Sequence, residues 1–245
     1  MIPKIIHYCW FGGNPKTAKM EKCIASWKKF CPDFQIIEWN EKNFIIDEQC
    51  QFVREAYENK KFAFVSDVAR LKIIFENGGV YLDTDVELLK PIDELLQCKA
   101  FFGWQDDKYV ANGLGFGAEK GNSIVGENLS CYLHTSFINS DGSFNMKACP
   151  VYTTKILQQY GLELQNDSIQ RLTEAVIYPV EYFNPLDDAT NRLNITEKTY
   201  SIHWYAKTWV SKRNRIRNKI TRIFHRYFGV NCFEPLKRVI RIIKK

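Results

Sequence analysis

Asp83 and Asp85, one residue apart in GGVYLDTD, are the residues whose type and spacing most directly imply chemistry in this chain. Two carboxylates so close repel each other, and burying them without counter-charge is costly. The pair therefore suits a place where a cation or a cluster of donors neutralises it. Hard oxygen ligands favour Mg²⁺ or Mn²⁺, which keep coordination positions open for phosphate oxygens. Val80, Tyr81 and Leu82 read as a short buried strand opened by Gly78-Gly79. A period of two then sends Asp83 and Asp85 to one face and Thr84 to the other. An isolated pair of this kind also occurs as a plain solvated turn, so its surroundings matter.

Upstream, Ser66 fits a helix N-cap, Val68, Leu71, Ile74 and Phe75 recur at helical spacing, and Asn77-Gly78 supplies a stop. The expected helix, 66 to 77, puts Asp67 and Arg70 on one face of its first turn. That positive dipole end suits hydroxyls and phosphate. Taken alone, the two are better read as a dipole-complementing acid and its salt-bridge partner. Near the end, residues 201 to 209 (SIHWYAKTW) pack one histidine, one lysine and three aromatics into nine residues, a composition expected of a lid or closing segment. At the start, Ile5, Ile6 and Tyr8 read as a buried strand before a Gly12-Gly13 turn, with Trp10 open to a core or a ligand-stacking role. Asn112 to Gly117 (NGLGFG) is a Gly-rich turn entering a strand. It lacks the helix and distal acid of a dinucleotide fingerprint. Asp106 and Asp107 read as a turn.

Short strands expected at 2 to 8, 35 to 39, 80 to 83, 100 to 104 and 175 to 180 must hold these residues, alternating with helices at 17 to 30, 50 to 60, 66 to 77 and 122 to 134. Such alternation argues an α/β fold with a mixed, mostly parallel sheet flanked by helices. Ligands of such sheets bind beyond the carboxyl ends of the strands, where Trp10 and the acidic pair fall. With 245 residues, 45% hydrophobic, the chain can bury a large core. Its eight cysteines show no zinc spacing and read as free thiols. His7, His134 and His225 read as structural. The N-terminus has no signal-peptide pattern, and no run is apolar enough to span a bilayer, so the expected location is cytoplasmic.

In order and spacing, IPKIIHYCWFGG, SWKKFCPDFQIIEWNEKNF, the Asp67/Arg70 helix, GGVYLDTD, NGLGFGAEKGNSIV and HWYAKTW resemble the glycosyltransferases with a DXD-containing sugar-binding region. That family includes bacterial surface-polysaccharide transferases and yeast Golgi mannosyltransferases, with clostridial glucosylating toxins as distant relatives. The resemblance covers roughly residues 1 to 210 and implies a GT-A-type, Rossmann-like domain that uses Mn²⁺ or Mg²⁺ and a nucleoside diphosphate sugar, UDP first. It implies that Trp10 stacks on the base, Gly12 lets backbone approach the nucleotide, and Tyr81 and Asn112 lie near the donor. Asp67 and Arg70 would contact sugar and phosphate, and Asp83 the ribose and a metal-bound water. Asp85 and His203 would ligate the metal, with Lys207 and Trp209 beside the diphosphate. Ala206 and Thr208 depart from the family pattern, which often has Gly and Ser there. The implied reaction is retaining hexosyl transfer to a glycan or lipid-linked oligosaccharide, with no enzymic nucleophile.

Charge is unevenly spread. From Ser211 onward twelve Lys and Arg face Glu234 alone, a net of +11, which leaves −5 for the rest of a chain whose total is +6. Ile216, Ile220, Ile223, Phe224, Tyr227 and Phe228 recur at helical spacing among these cations. The 211 to 245 tail is thus a basic amphipathic element, suited to the anionic inner face of a cell membrane or to capping the domain with its apolar side. Two other classes fit single features: a metal-dependent phosphohydrolase using Asp83 and Asp85, and a nucleic-acid-binding module using the tail. The acidic body and the lack of a reading motif count against nucleic acid.

Overall fold

The computed structural model describes residues 1–206 and 212–233. Its strands are β1 (Ile5–Cys9), β2 (Gln35–Trp39), β3 (Gly79–Tyr81), β4 (Val86–Leu88), β5 (Ala100–Gly103), β6 (Phe116–Ala118), β7 (Gln170–Arg171), β8 (Val176–Tyr178), β9 (Leu186–Asp187), β10 (Arg192–Leu193) and β11 (Ser201–His203). Its helices are α1 (Ala18–Phe30), α2 (Gln51–Glu58), α3 (Phe62–Asn77), α4 (Ser123–Leu133), α5 (Cys149–Gln159), α6 (Val180–Phe183) and α7 (Lys212–Phe228). Each strand and helix expected from hydrophobic periodicity has a counterpart within a few residues.

The main sheet runs β2-β1-β3-β6-β5-β8-β7. β2, β1, β3, β5 and β8 point one way, while β6 and β7 run against them. The sheet is therefore mixed and mostly parallel, and short strands with both faces covered explain its near-continuous apolar runs. Alternation along β3 sends Tyr81 into the core under α2, α3, α4 and α5. Val80 and Leu82 go to the opposite core, with Trp27 of α1 and Leu95. β11 pairs antiparallel with β4, His203 opposite Val86. α1 braces that pair: its Trp27 indole N–H donates to the Val86 carbonyl at 2.7 Å, and Ser26 Oγ accepts from Leu88 N–H at 2.9 Å.

Two expectations are corrected. α3 begins at Phe62, one turn before Ser66, so Ser66 is not its cap and Asp67 and Arg70 lie past the first turn. Burial of aromatic side chains outweighs the capping signal: Phe62 packs edge-on against Tyr57 at 5.5 Å, and Phe64 against Phe137 at 5.2 Å. The dipole-end argument for Asp67 and Arg70 thereby lapses. In addition, β3 ends at Tyr81, so Asp83 and Asp85 belong to the turn between β3 and β4 rather than to a strand of period two. Among the described residues no helix is long and apolar enough to cross a membrane.

Candidate active site

β1 and β3 are parallel neighbours, with Ile6 opposite Val80 and His7 opposite Tyr81, so Trp10 and the acidic turn emerge at the same edge of the sheet. His7 holds this junction. Its Nε2 is 3.0 Å from the Gly78 carbonyl and its Nδ1 accepts from Trp39 Nε1–H at 3.0 Å. That pattern fixes the neutral tautomer protonated at Nε2, and burial lowers its pKa to about 4. This histidine is structural, as expected.

In the turn, Val86 N–H donates to the Asp83 carbonyl at 2.9 Å, and the curled backbone turns both acids toward β11. Asp83, Asp85 and His203 each offer a ligand atom, all within 4.8 Å of one another. The register of β11 on β4 makes this cluster. Residues Ser201–His203 form a paired strand there, not a lid. Two carboxylates and an imidazole are a donor set that fits Mn²⁺ or Mg²⁺. His203 Nδ1 is buried with no hydrogen-bond partner among the described residues, while Nε2 faces Asp85 Oδ1 at 3.3 Å.

The two acids sit in different fields. Burial opposes ionisation of Asp85, but His203 and the Ala206 N–H, which donates to Oδ2 at 2.7 Å, outweigh it and hold the carboxyl at about 2. For His203 burial opposes the charge and Asp85 overcomes it, so its pKa is raised. Asp83 is raised by burial and then by the Asp85 charge, against the pull of Arg70.

On the other side of Asp83 lies a second, contiguous group. Arg70, buried in mid-α3, reaches Asp83 Oδ1 at 3.0 Å and Asp67 Oδ1 at 3.1 Å. Its guanidinium carbon is 5.0 Å from the centre of the Tyr81 ring, whose hydroxyl donates to Asp83 Oδ1 at 3.0 Å. Burial raises the Asp67 carboxyl to about 6 even with Arg70 beside it. A Cβ at Gly113 would stand 2.9 Å from Asp83 Oδ2, so this carboxylate would have to shift to admit one. The neighbouring Asn112 is fully buried, with Oδ1 3.2 Å from the Thr153 hydroxyl. Asn112 Nδ2 and Arg70 Nε are without hydrogen-bond partners among the described residues. Buried orphan donors cost free energy unless a ligand satisfies them.

Sequence reasoning missed the floor of this group. It comes from α5, whose Cys149 Sγ lies 3.7 Å from Arg70 Nη1 and whose Thr153 hydroxyl also reaches Asn128 Oδ1 at 3.0 Å. The signal available was Pro150 in a first turn followed by buried positions at 153, 154, 156 and 157.

Trp10 and Gly12 follow the end of β1. Phe11, not Trp10, enters the core, packing on Phe44 at 5.6 Å. Trp10 is half-buried, its indole N–H donating to the Asn14 carbonyl at 2.6 Å. Gly12 has φ +88°, and a Cβ would meet the Phe62 ring at 2.3 Å, so the close approach demands glycine. Gly12, Gly13, Glu41, Tyr57, Lys60 and Phe62 border a cavity of about 510 Å³. Asp106 Oδ1 accepts from the N–H groups of Lys108 and Tyr109, the turn expected of it. Lys207 and Trp209 lie outside the described residues.

The family model described as a glycosyltransferase sugar-binding region containing a DXD motif matches residues 17–102, a span that includes Asp67, Arg70, Asp83 and Asp85. Inositol phosphoceramide mannosyltransferase 3 of Schizosaccharomyces pombe is 29% identical over 132 residues, covering 51% of this chain and 35% of that protein. Lactosylceramide 4-alpha-galactosyltransferase of Mus musculus is 27% identical over 168 residues, covering 63% of this chain and 44% of that protein. The chain thus spans less than half the length of either relative. The solved structure of PaToxG glycosyltransferase superposes with a TM-score of 0.50 at 20% identity, over 64% of this chain and 68% of that one. The residues that the family model matches therefore sit in a fold of the GT-A type. Their sequence span stops short of Asn112, Cys149, Thr153 and His203, which only the folded chain brings to its acids.

Proposed function

We propose that this chain is a metal-dependent retaining hexosyltransferase that takes its sugar from a nucleoside diphosphate donor, UDP first, and places it on a glycan acceptor of capsule, surface polysaccharide or lipopolysaccharide. The observation that carries this reading is the convergence of Asp83, Asp85 and His203 within 4.8 Å, directly against the Arg70–Asp67 pair. A phosphohydrolase leaves the second half of that arrangement without a task. The relatives named above act, by their names, on ceramide-borne acceptors. A lipid-linked oligosaccharide acceptor, met at the cytoplasmic face of a cell membrane, fits that likeness.

In this reading Asp83, Asp85 and His203 hold Mn²⁺ or Mg²⁺, which supplies Lewis-acid stabilisation of charge on the departing diphosphate. The chain does the rest. Asp67 accepts hydrogen bonds from sugar hydroxyls, and Arg70 offers its planar fork to sugar and phosphate oxygens. Tyr81 keeps Asp83 aimed, Asn112 offers its orphaned amide, and Trp10 stacks on the base beside the Gly12 turn. Negative charge growing on the leaving group meets these fixed donors. Among the described residues of the group no further carboxylate is left for a nucleophile, which fits acceptor attack on the face the diphosphate leaves, with that diphosphate taking the proton.

Thermal-shift screening of UDP- and GDP-sugars with and without Mn²⁺ tests the donor assignment, because a bound donor raises stability by mass action. One UDP-hexose should stabilise the protein only with metal present and be hydrolysed slowly without acceptor. Phosphate release from simple esters, with no response to any sugar nucleotide, would overturn the reading.

A further inference from the structure

α7 is inside out for a helix packed on a soluble domain. Ile220, Ile223, Phe224, Tyr227 and Phe228 recur at i, i+3, i+4, i+7 and i+8 and so form one stripe. Their exposures are 52%, 59%, 43%, 75% and 72%. Val230 prolongs the stripe past the Gly229 stop, and the Phe224 ring packs on Phe228 at 6.0 Å and on Phe233 at 5.4 Å, so the aromatics cluster on the outside. The opposite, polar side meets the body. Arg222 pairs with the Asp188 carboxylate and donates through Nε to its carbonyl at 2.8 Å, while Arg192 Nη2 donates to the Arg226 carbonyl at 2.8 Å. The body holds the helix through the Arg222 side chain and the Arg226 carbonyl and turns the apolar stripe away, the reverse of a helix that caps a domain with its apolar side.

We propose that this stripe seats on an anionic lipid bilayer. Contiguous exposed apolar surface of this kind marks an interaction site. The charge decides the occupant: α7 contains seven Lys and Arg and no acid, and the tail from Ser211 on holds twelve against Glu234 alone. An apolar stripe bordered by cations matches a layer of acyl chains under anionic headgroups. A second copy of the chain does not match it, because stripe-to-stripe pairing sets two basic helices side by side. Nucleic acid would meet the cations but leave the stripe bare. The segment that holds α7 is in turn linked to the site, since Asn184, just before the β9–β10 hairpin, donates to the Tyr205 hydroxyl at 2.7 Å, and the Tyr205 ring packs on His203 at 4.3 Å. This inference rests on α7 and its charge, independently of the sugar-transfer reading.

Co-sedimentation of the full chain with vesicles tests it, using phosphatidylcholine alone and phosphatidylcholine mixed with phosphatidylglycerol, at low and high salt. The protein should pellet with the anionic vesicles, less so at high salt, and remain in the supernatant with the neutral ones. The triple variant Phe224→Ser/Tyr227→Ser/Phe228→Ser should lose at least about tenfold in vesicle affinity, as expected when an interfacial helix loses its apolar anchors. Its unfolding temperature and its response to sugar nucleotide should not change, because these side chains are exposed. Equal pelleting of the triple variant, equal binding to neutral vesicles, or a solution dimer that the variant dissolves would each overturn the proposal. A failure of sugar-nucleotide binding in the unaltered chain would instead count only against the transferase reading.

Discussion

His203 Nε2 faces Asp85 Oδ1 at 3.3 Å, a contact made by the pairing of β11 with β4 rather than by any nearness in sequence. It turns a two-carboxylate motif into a group of three side chains that could hold a metal ion, one of them through nitrogen. The imidazole and carboxylate hold each other in place, and in the proposed reading this would prepare the geometry for a cation in advance.

Loss of either ligand should be felt first in metal binding. Removing a metal-holding group costs several kcal/mol of charge stabilisation, and at about 1.4 kcal/mol per factor of ten this means roughly 100-fold or more. Asp85→Ala should therefore abolish Mn²⁺-dependent donor hydrolysis, and His203→Ala should weaken Mn²⁺ binding measured by calorimetry. Normal turnover of Asp85→Ala would refute the metal assignment.

Arg70 should resist even conservative exchange. It is 4% exposed and bridges Asp67 and Asp83, so Arg70→Ala leaves two partly buried carboxylates without their cation. Breaking a buried pair in this way costs about 3 to 5 kcal/mol. Arg70→Lys keeps the charge but not the fork, and should lower kcat/KM while unfolding in denaturant nearer to the unaltered chain.

The donor affinity should depend on pH through Asp67. Burial raises its carboxyl to about 6, so as pH falls through that value the group takes up a proton and loses acceptor capacity. A carboxylate that accepts sugar hydroxyls is present above this pH and lost below it, so the donor KM should rise on acidification. Asp67→Asn should have a higher KM at neutral pH and lack that inflection; an unchanged inflection would assign it to another group.

Thr153 should act through Asn112. Its hydroxyl lies between Asn112 Oδ1 at 3.2 Å and Asn128 Oδ1 at 3.0 Å. Thr153→Val keeps the shape but leaves buried amides unsatisfied, a cost of about 1 to 3 kcal/mol. Donor KM should rise more than kcat falls, and Thr153→Ser should restore it. Equal effects of Val and Ser would reduce Thr153 to a packing residue.

What the sequence determined by itself was local. Periodicity placed β1, β2, β3, α1, α2 and α4 within a few residues, because alternating and 3.6-residue patterns report which neighbours share a face. Gly78 marked the end of α3, and His7 was rightly read as structural. The sequence also set the charge of the tail and supplied the acid pair. Tertiary structure decided what met what. Whether α3 began at Ser66 or Phe62 depended on aromatic partners in distant segments, and that choice moved Asp67 and Arg70 away from the helix end. β11 brought His203 to the acids, and α5 brought Cys149 and Thr153 beneath Arg70 and Asn112. Amphipathicity predicted a stripe on α7, but only the Arg222–Asp188 pair decided that the stripe faces outward. A chain's local pattern states which side of an element is apolar; which surface meets that side depends on long-range pairing, and that is settled only when the whole chain closes.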